Sequence, residues 1–192
     1  MVSRPRRTQQ RTQAMSGFTH ESTVNESVEW YTPPEIFEAL GLTFDLDPCS
    51  PGPGKSYVPT LAHYTIDDDG LNQNWTGTVW MNPPYGPHTK VWMEKLAEHG
   101  NGIALVFART DVRWFQEHGV KADMVCFVNS RIKFFQGDIS KRGGTPGAGS
   151  MLLAYGPKAA KALAESGLGA CFTLVPGTEM FDTEPNLFTQ DA

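Results

Sequence analysis

A chain of 192 residues, 40% hydrophobic and 19% charged, has the make-up of a single globular domain. A domain of that size buries about 70% of the surface its unfolded chain exposes. It contains no run of about 18 apolar residues, and its first stretch, MVSRPRRTQQRTQAMSGF, has no apolar core, so neither a membrane span nor a secretory leader is expected. Cys49, Cys126 and Cys171 are far apart in sequence and form no CxxC pair, which argues against a disulfide framework or a zinc knuckle and makes a reducing cytoplasm the default.

The net charge of -5 is unevenly spread. Residues 1–20 hold Arg4, Arg6, Arg7 and Arg11 and no acid, residues 21–69 carry ten acids against Lys55 alone, and residues 109–161 carry nine bases against four acids. An acidic protein can still present a local basic face to phosphate.

In chain order, residues 1–25 are polar and aperiodic and read as a basic, disordered arm. TPPEIFEALG (32–41) predicts a helix: Thr32 can cap, Pro33 and Pro34 suit the first turn, Glu35 favours the positive end and Gly41 closes it. TFDLDP (43–48) alternates Phe44 and Leu46 with Asp45 and Asp47, a strand with two carboxylates on one side. The loop CSPGPGKS follows. HYTIDDDGL (63–71) predicts a short strand entering an acidic turn, and TVWMN (78–82) a better one. KVWMEKLAEHG (90–100) reads as a helix ending at Gly100, IALVFA (103–108) as a strand buried on both faces, and TDVRWFQEHG (110–119) as a helix capped by Thr110 or Asp111. DMVCFVN (123–129), SMLLAY (150–155) and CFTLV (171–175) are further strands, with the helix PKAAKALAESG (157–167) before the last. Residues 177–192 form an acidic tail. The alternation predicts an α/β fold, a largely parallel sheet with helices on both faces, whose ligands bind beyond the carboxyl ends of the strands. Asp47, the turn 67–69 and Asn82 then share that edge.

Three motifs invite chemistry. GPGKS (52–56) suggests a phosphate loop, but the glycine required five residues before Gly54 is Cys49, so it reads as a turn. Asp67, Asp68 and Asp69 lack the alternating spacing of a calcium loop. They form either a solvated turn or a contact to a ribose or an adenine amine. His20, His63, His88, His99 and His118 have no metal spacing, so no metal is expected.

The third is Asn82-Pro83-Pro84-Tyr85, directly after a buried strand. The amino group of a planar base or amide is a poor nucleophile because its lone pair is delocalised. Two acceptors aimed at its hydrogens favour the charge that develops on nitrogen. The Asn82 side-chain oxygen offers one and the Pro83 carbonyl, fixed by the restricted Pro-Pro dihedrals, the other. Tyr85 gives a planar ring a face to stack on. The motif reads as a holder for a planar amine.

The ordered set EWYTPPEIFEALG, FDLDPCS, HYTIDDDGLNQNW, VWMNPPYG and IALVFARTDVRWFQ resembles the phage DNA N6-adenine methyltransferase family, the Dam-like group, and the resemblance covers roughly residues 29–175. NPPY alone is shared with RNA and protein amide methyltransferases; the ordered set is more specific. The resemblance implies a Rossmann-like methyltransferase domain over residues 26–176, S-adenosylmethionine as cofactor and double-stranded DNA as partner. It gives Trp30, Tyr31, Thr32 and Pro33 to the methionine end of the cofactor. Asp47 matches the acidic residue of the cofactor loop, with Asp45 the weaker candidate, and Asp68 or Asp69 contacts the adenosine. Asn82, Pro83, Pro84 and Tyr85 hold the adenine. The usual glycine-rich cofactor loop is here CSPGPG, interrupted by Pro51 and Pro53. A base inside a duplex must flip out to reach such a site. Arg109, Arg113, Arg131, Lys133, Lys141 and Arg142 are the candidates to hold the DNA backbone, around the loop QGDISKRGGTPGAGS (136–150). A short recognised sequence and a monomer or weak dimer are expected. The rival readings are methylation of cytosine N4, RNA adenine or protein glutamine, and a non-catalytic DNA-binding relative. Asn82 in place of Ser leans away from cytosine, and the basic loop away from glutamine.

Overall fold

The computed structural model describes residues 30–140 and 142–175. The expected arm, the expected tail and Lys141 lie outside them. Nine strands and four helices follow in the order β1 (Trp30–Tyr31), α1 (Pro34–Leu40), β2 (Phe44–Asp47), β3 (Thr60–His63), β4 (Val79–Met81), α2 (Thr89–His99), β5 (Gly102–Phe107), α3 (Arg113–Glu117), β6 (Met124–Val128), β7 (Phe135–Gln136), β8 (Ser150–Tyr155), α4 (Pro157–Glu165) and β9 (Gly169–Phe172). Short 3-10 turns cover Ile66–Asp68 and Gly119–Lys121.

Seven strands form one sheet in the order β3-β2-β4-β5-β8-β6-β9, and β1 pairs with β7 in a separate antiparallel ribbon. β2 pairs in parallel with β3 and β4, and β4 with β5. The β5–β8, β6–β8 and β6–β9 pairings are antiparallel. The sheet is therefore mixed rather than largely parallel. The reason lies between β6 and β8. Adjacent parallel strands need a crossover, usually a helix, whereas antiparallel neighbours do not, and the described residues between β6 and β8 include no helix.

Each face of the sheet is covered. Leu46, Val79, Met81, Val106, Met151 and Leu153 pack with Met93 and Leu96 of α2 and Phe115 of α3. On the other face Phe44, Trp80, Leu105 and Leu152 pack with Ile36, Phe37 and Leu40 of α1 and with Ala159 and Leu163 of α4. β4 and β8 are buried throughout, as their unbroken apolar runs require.

Local differences from the sequence reading are informative. Thr32 does not cap α1; Pro33 holds that position with no side-chain bond. Val112, rather than Thr110 or Asp111, precedes the single-turn α3. The short strand expected to open the segment 63–71 lies earlier, at Thr60–His63, and the acidic turn follows at Ile66–Asp68. Cys126 and Cys171, remote in sequence, face each other across β6 and β9 as free thiols. Among the described residues no helix is long and apolar enough to cross a membrane, and no cluster of His, Cys, Asp or Glu could hold a metal ion.

Candidate active site

Strand order reverses between β2 and β4: the chain leaves β2 towards β3 on one side and returns as β4 on the other. Crevices at such switch points, beyond the carboxyl ends of parallel strands, are where open α/β sheets bind ligands. A cavity of about 490 Å³ lies there. Its walls come from the segment after β2 (Asp47–Pro51), the turn after β3 (Thr65, Ile66, Asp69, Gly70), the motif after β4 (Asn82–Tyr85) and the β1 strap (Trp30–Thr32).

Asp47 ends β2 and is 3% exposed. Its Oδ1 accepts the Cys49 N–H at 3.2 Å. Burial pushes its carboxyl up to about 7, against the pull of hydrogen bonds from Cys49 and Ser50. Its charge therefore changes near neutral pH. Burial and then the Asp47 charge drive the Cys49 thiol well above its usual range. The thiol stays protonated and donates to the Asn82 backbone carbonyl at 3.3 Å, tying the β2 segment to the motif.

The Asn82 amide is held at both ends. Its Nδ2 donates to the Trp30 carbonyl at 2.7 Å, and its Oδ1 accepts the Tyr85 hydroxyl at 3.1 Å. That pattern assigns which end of the amide is oxygen. Burial raises the Tyr85 phenol above its usual value, so the hydroxyl remains a donor. Pro84 is fixed from behind by Thr89 Oγ1, 3.2 Å from its carbonyl. Among the described residues nothing donates to the Pro83 carbonyl. The motif thus presents one free carbonyl and one amide oxygen with a lone pair to spare.

Thr32, displaced from its expected capping role, is 3% exposed at the cavity wall with no partner for Oγ1. A buried hydroxyl left unpaired costs free energy unless a ligand or water completes it. Trp30 and Tyr31 line the cavity beside it, while Pro33 does not. Asp69 reaches the wall in a left-handed conformation, φ 51°, and accepts Asn72 Nδ2 at 2.6 Å. Gly70 lies so close to the β2 segment that a Cβ there would come within 2.0 Å of the Pro48 carbonyl oxygen.

Asp45 and Asp68 stand elsewhere. The Asp45 carboxylate accepts the Thr78 N–H at 2.6 Å, and a Cβ on Gly77 would fall 2.2 Å from it. Asp68 accepts both the Thr65 N–H and its hydroxyl at 2.7 Å, bonds that close the 3-10 turn and hold its carboxyl below the usual range. Neither lines the cavity.

The basic candidates divide similarly. Arg113 pairs with Glu117, which Lys90 and Arg113 together hold down at about 2. Arg142 pairs with Glu35 and lies 5.4 Å over the Phe135 ring, an anchor between α1 and β7. Arg109, Arg131 and Lys133 are exposed. Because β6 runs parallel to β5, all three emerge at the cavity edge of the sheet. The Arg109 guanidinium sits 6.0 Å from the Phe107 ring.

A family model for DNA N-6-adenine-methyltransferase (Dam) matches residues 20–167. The chain belongs to the DNA N-6-adenine-methyltransferase (Dam) family. The curated proteins and the solved structures gave no match. Membership of the Dam family gives the chemistry a class, DNA adenine methylation, and the match runs from before β1 to the end of α4. It therefore spans every wall of the cavity.

Two residues in or beside this candidate site escape sequence reasoning. Cys49 reads as a loop residue, although its place two positions after Asp47 was a usable signal. Phe107 reads as core, yet as the last residue of β5 it stacks on Tyr85 with ring centroids 4.0 Å apart and planes 11° apart.

Proposed function

We propose that this protein methylates N6 of an adenine flipped out of double-stranded DNA, using S-adenosylmethionine. The observation that carries the reading is the pair of acceptors at one corner, the Asn82 Oδ1 with its orientation fixed from both ends and the unpaired Pro83 carbonyl. A 6-amino group has two hydrogens, and each carbonyl takes one. As the amine gains a bond its hydrogens become more acidic, so these bonds strengthen in the transition state more than in the ground state. The proton leaves to water after transfer, and Asn82 moves no proton itself.

The cavity fits the donor. S-adenosylmethionine, when bound, supplies a methyl group made electrophilic by a sulfonium cation. Asp47 and Asp69 offer carboxylates to a cationic, hydroxyl-bearing ligand, and the unpartnered Thr32 hydroxyl offers a hydrogen bond. A volume of about 490 Å³ lies within the range of small-molecule and cofactor sites. Extruding the base costs a few kcal/mol of stacking and pairing. Arg109, Arg131 and Lys133 offset part of that through phosphate contacts.

The test is to incubate the protein with radiolabelled S-adenosylmethionine and, separately, duplex DNA, RNA and a protein extract, then digest and identify the labelled product. The expected product is N6-methyladenine in DNA. Label confined to RNA, protein or cytosine would sink the reading.

A further inference from the structure

The NPPY corner is completed by a residue outside the motif. Phe107 ends β5, the strand beside β4, and β4–β5 register pairs Met81 with Ala104. Phe107 is thus three residues beyond Ala104, as Tyr85 is four beyond Met81, and the two rings meet face to face at 4.0 Å and 11°. Tyr85 lines the cavity and Phe107 does not, so Phe107 backs the tyrosine.

The backbone of the corner is tied at Asn82 and Pro84, and the stack adds a hold on the ring that follows them. Tyr85 is followed by Gly86 at φ 118°, a left-handed turn that glycine adopts without steric cost. Within the motif the Tyr85 side chain is tied at its hydroxyl, by the bond to Asn82 Oδ1, and the plane of the ring decides whether that bond forms. From Phe107 the contacts run in series. The phenylalanine sets the ring, the ring delivers a hydroxyl to Asn82 Oδ1 at 3.1 Å, and the Trp30 carbonyl takes Nδ2 at 2.7 Å. Asn Oδ1 has two lone pairs, so the tyrosine bond leaves one for an amine hydrogen.

We propose that Phe107 is a positioning residue for methyl transfer: by stacking behind Tyr85 it holds the Tyr85 hydroxyl on Asn82 and keeps the amide oxygen turned to the substrate amine. The inference rests on Asn82 being the amine acceptor. It makes Phe107 act wholly through Tyr85, without contact to DNA or cofactor.

The experiment is a double-substitution cycle, Phe107→Leu against Tyr85→Leu, with Phe107→Tyr as the conservative variant. Single-turnover methylation of a DNA duplex gives the rate, and tryptophan fluorescence gives the S-adenosylmethionine Kd. Phe107→Leu is expected to lower the rate roughly three- to tenfold, the worth of one stacked aromatic pair, with the Kd unchanged. Phe107→Tyr restores the rate. In the Tyr85→Leu background Phe107→Leu adds no further loss, because residues acting in series are not additive. A wild-type rate in Phe107→Leu, or losses that multiply in the double variant, would overturn the proposal. So would a Kd that weakens in step with the rate. NMR supplies a readout independent of turnover. The Tyr85 ring protons should be shifted upfield by Phe107, and Phe107→Leu should abolish that shift and move the Asn82 side-chain amide signals. If those signals do not move, Phe107 does not position the amide, whatever the substrate. A wild-type protein that fails to methylate DNA adenine while the signals move as expected refutes the substrate and leaves the positioning standing.

Discussion

The two halves of the sheet differ in strand direction, and with it in what they bring to the cavity edge. In the parallel half, β3-β2-β4-β5, every strand ends at one edge, so the residues just past those ends converge: Asp47, the turn after His63, Asn82 and Phe107. In the antiparallel half, β8-β6-β9, carboxyl ends alternate between edges. Only β6 delivers a segment to the cavity side, and that segment carries Arg131 and Lys133 and continues into β7, the partner of β1. Chemistry needs several side chains meeting at one point, and parallel strands supply that geometry. Grip on a polyanion needs only charges along an edge, and a single strand end supplies those.

The largest expected effects set one half against the other. On the proposed reading Asn82→Ala removes an acceptor that matters most in the transition state. It should slow methyl transfer by about 10²–10³-fold and leave S-adenosylmethionine affinity nearly unchanged. If rate and affinity fall equally, Asn82 is structural. Leu152, fully buried in β8, belongs to the other half. Leu152→Ala should cost about 2–5 kcal/mol of stability and show as a lower melting temperature. Assayed cold enough to stay folded, it should turn over like the wild type. A Leu152→Ala protein that is folded but inactive would break the division.

The pH dependence of Asp47 sharpens the comparison within the parallel half. Its carboxyl ionises near 3.9 in the unfolded chain and at about 7 when buried in the fold. The folded state therefore holds a proton that the unfolded state has lost between those values, and stability falls as pH rises through that window. It is flat above about 7. Asp47→Asn should raise the melting temperature at pH 8 and leave it unchanged at pH 4 or below. A cationic ligand prefers the ionised carboxylate, so wild-type S-adenosylmethionine affinity should rise with pH up to about 7, by at most tenfold per unit. The asparagine variant should bind more weakly with a flat profile. Parallel profiles for the two proteins would remove Asp47 from cofactor binding. On the proposed reading Asp47 lowers stability at the pH where it would serve the ligand, as functional residues often do.

Much of this was legible in the sequence, for reasons tied to particular residues. The alternating Phe44-Asp45-Leu46-Asp47 marked a strand ending in acid, and the run Val79–Met81 halted by Pro83 placed Asn82 just past a strand. Both are local patterns. The antiparallel half was less legible because strand direction follows from connections, and Met151–Tyr155 has the same buried, apolar pattern in either sense. Thr32 looked like a cap since composition cannot tell a capping hydroxyl from one left at a cavity wall. Asp45 against Asp47, and Asp68 against Asp69, were separable only by their partners. Thr78 and Thr65 engage one of each pair and the cavity receives the other. Arg142 looked free for phosphate until Glu35, 107 positions away, appeared beside it.

The smallest expected effect concerns the antiparallel half's contribution at the cavity edge. Arg131 and Lys133 alternate with the buried Ile132 and Phe134, so both point outward from an extended segment. If they lie on phosphates, each releases about one counterion on binding. Replacing either with alanine should then reduce the slope of log K against log[salt] by about 0.9. Affinity should fall alike for specific and non-specific duplexes, since phosphate contacts carry no base identity. At saturating DNA the rate of methyl transfer should not change, because neither residue reaches the acceptor pair. Arg113→Ala and Arg142→Ala serve as contrasts. Their charges are already committed to Glu117 and Glu35, so the slope should stay near the wild-type value. A slope that drops for the paired arginines and not for Arg131 or Lys133 would move the DNA path away from β6 and towards α1 and α3.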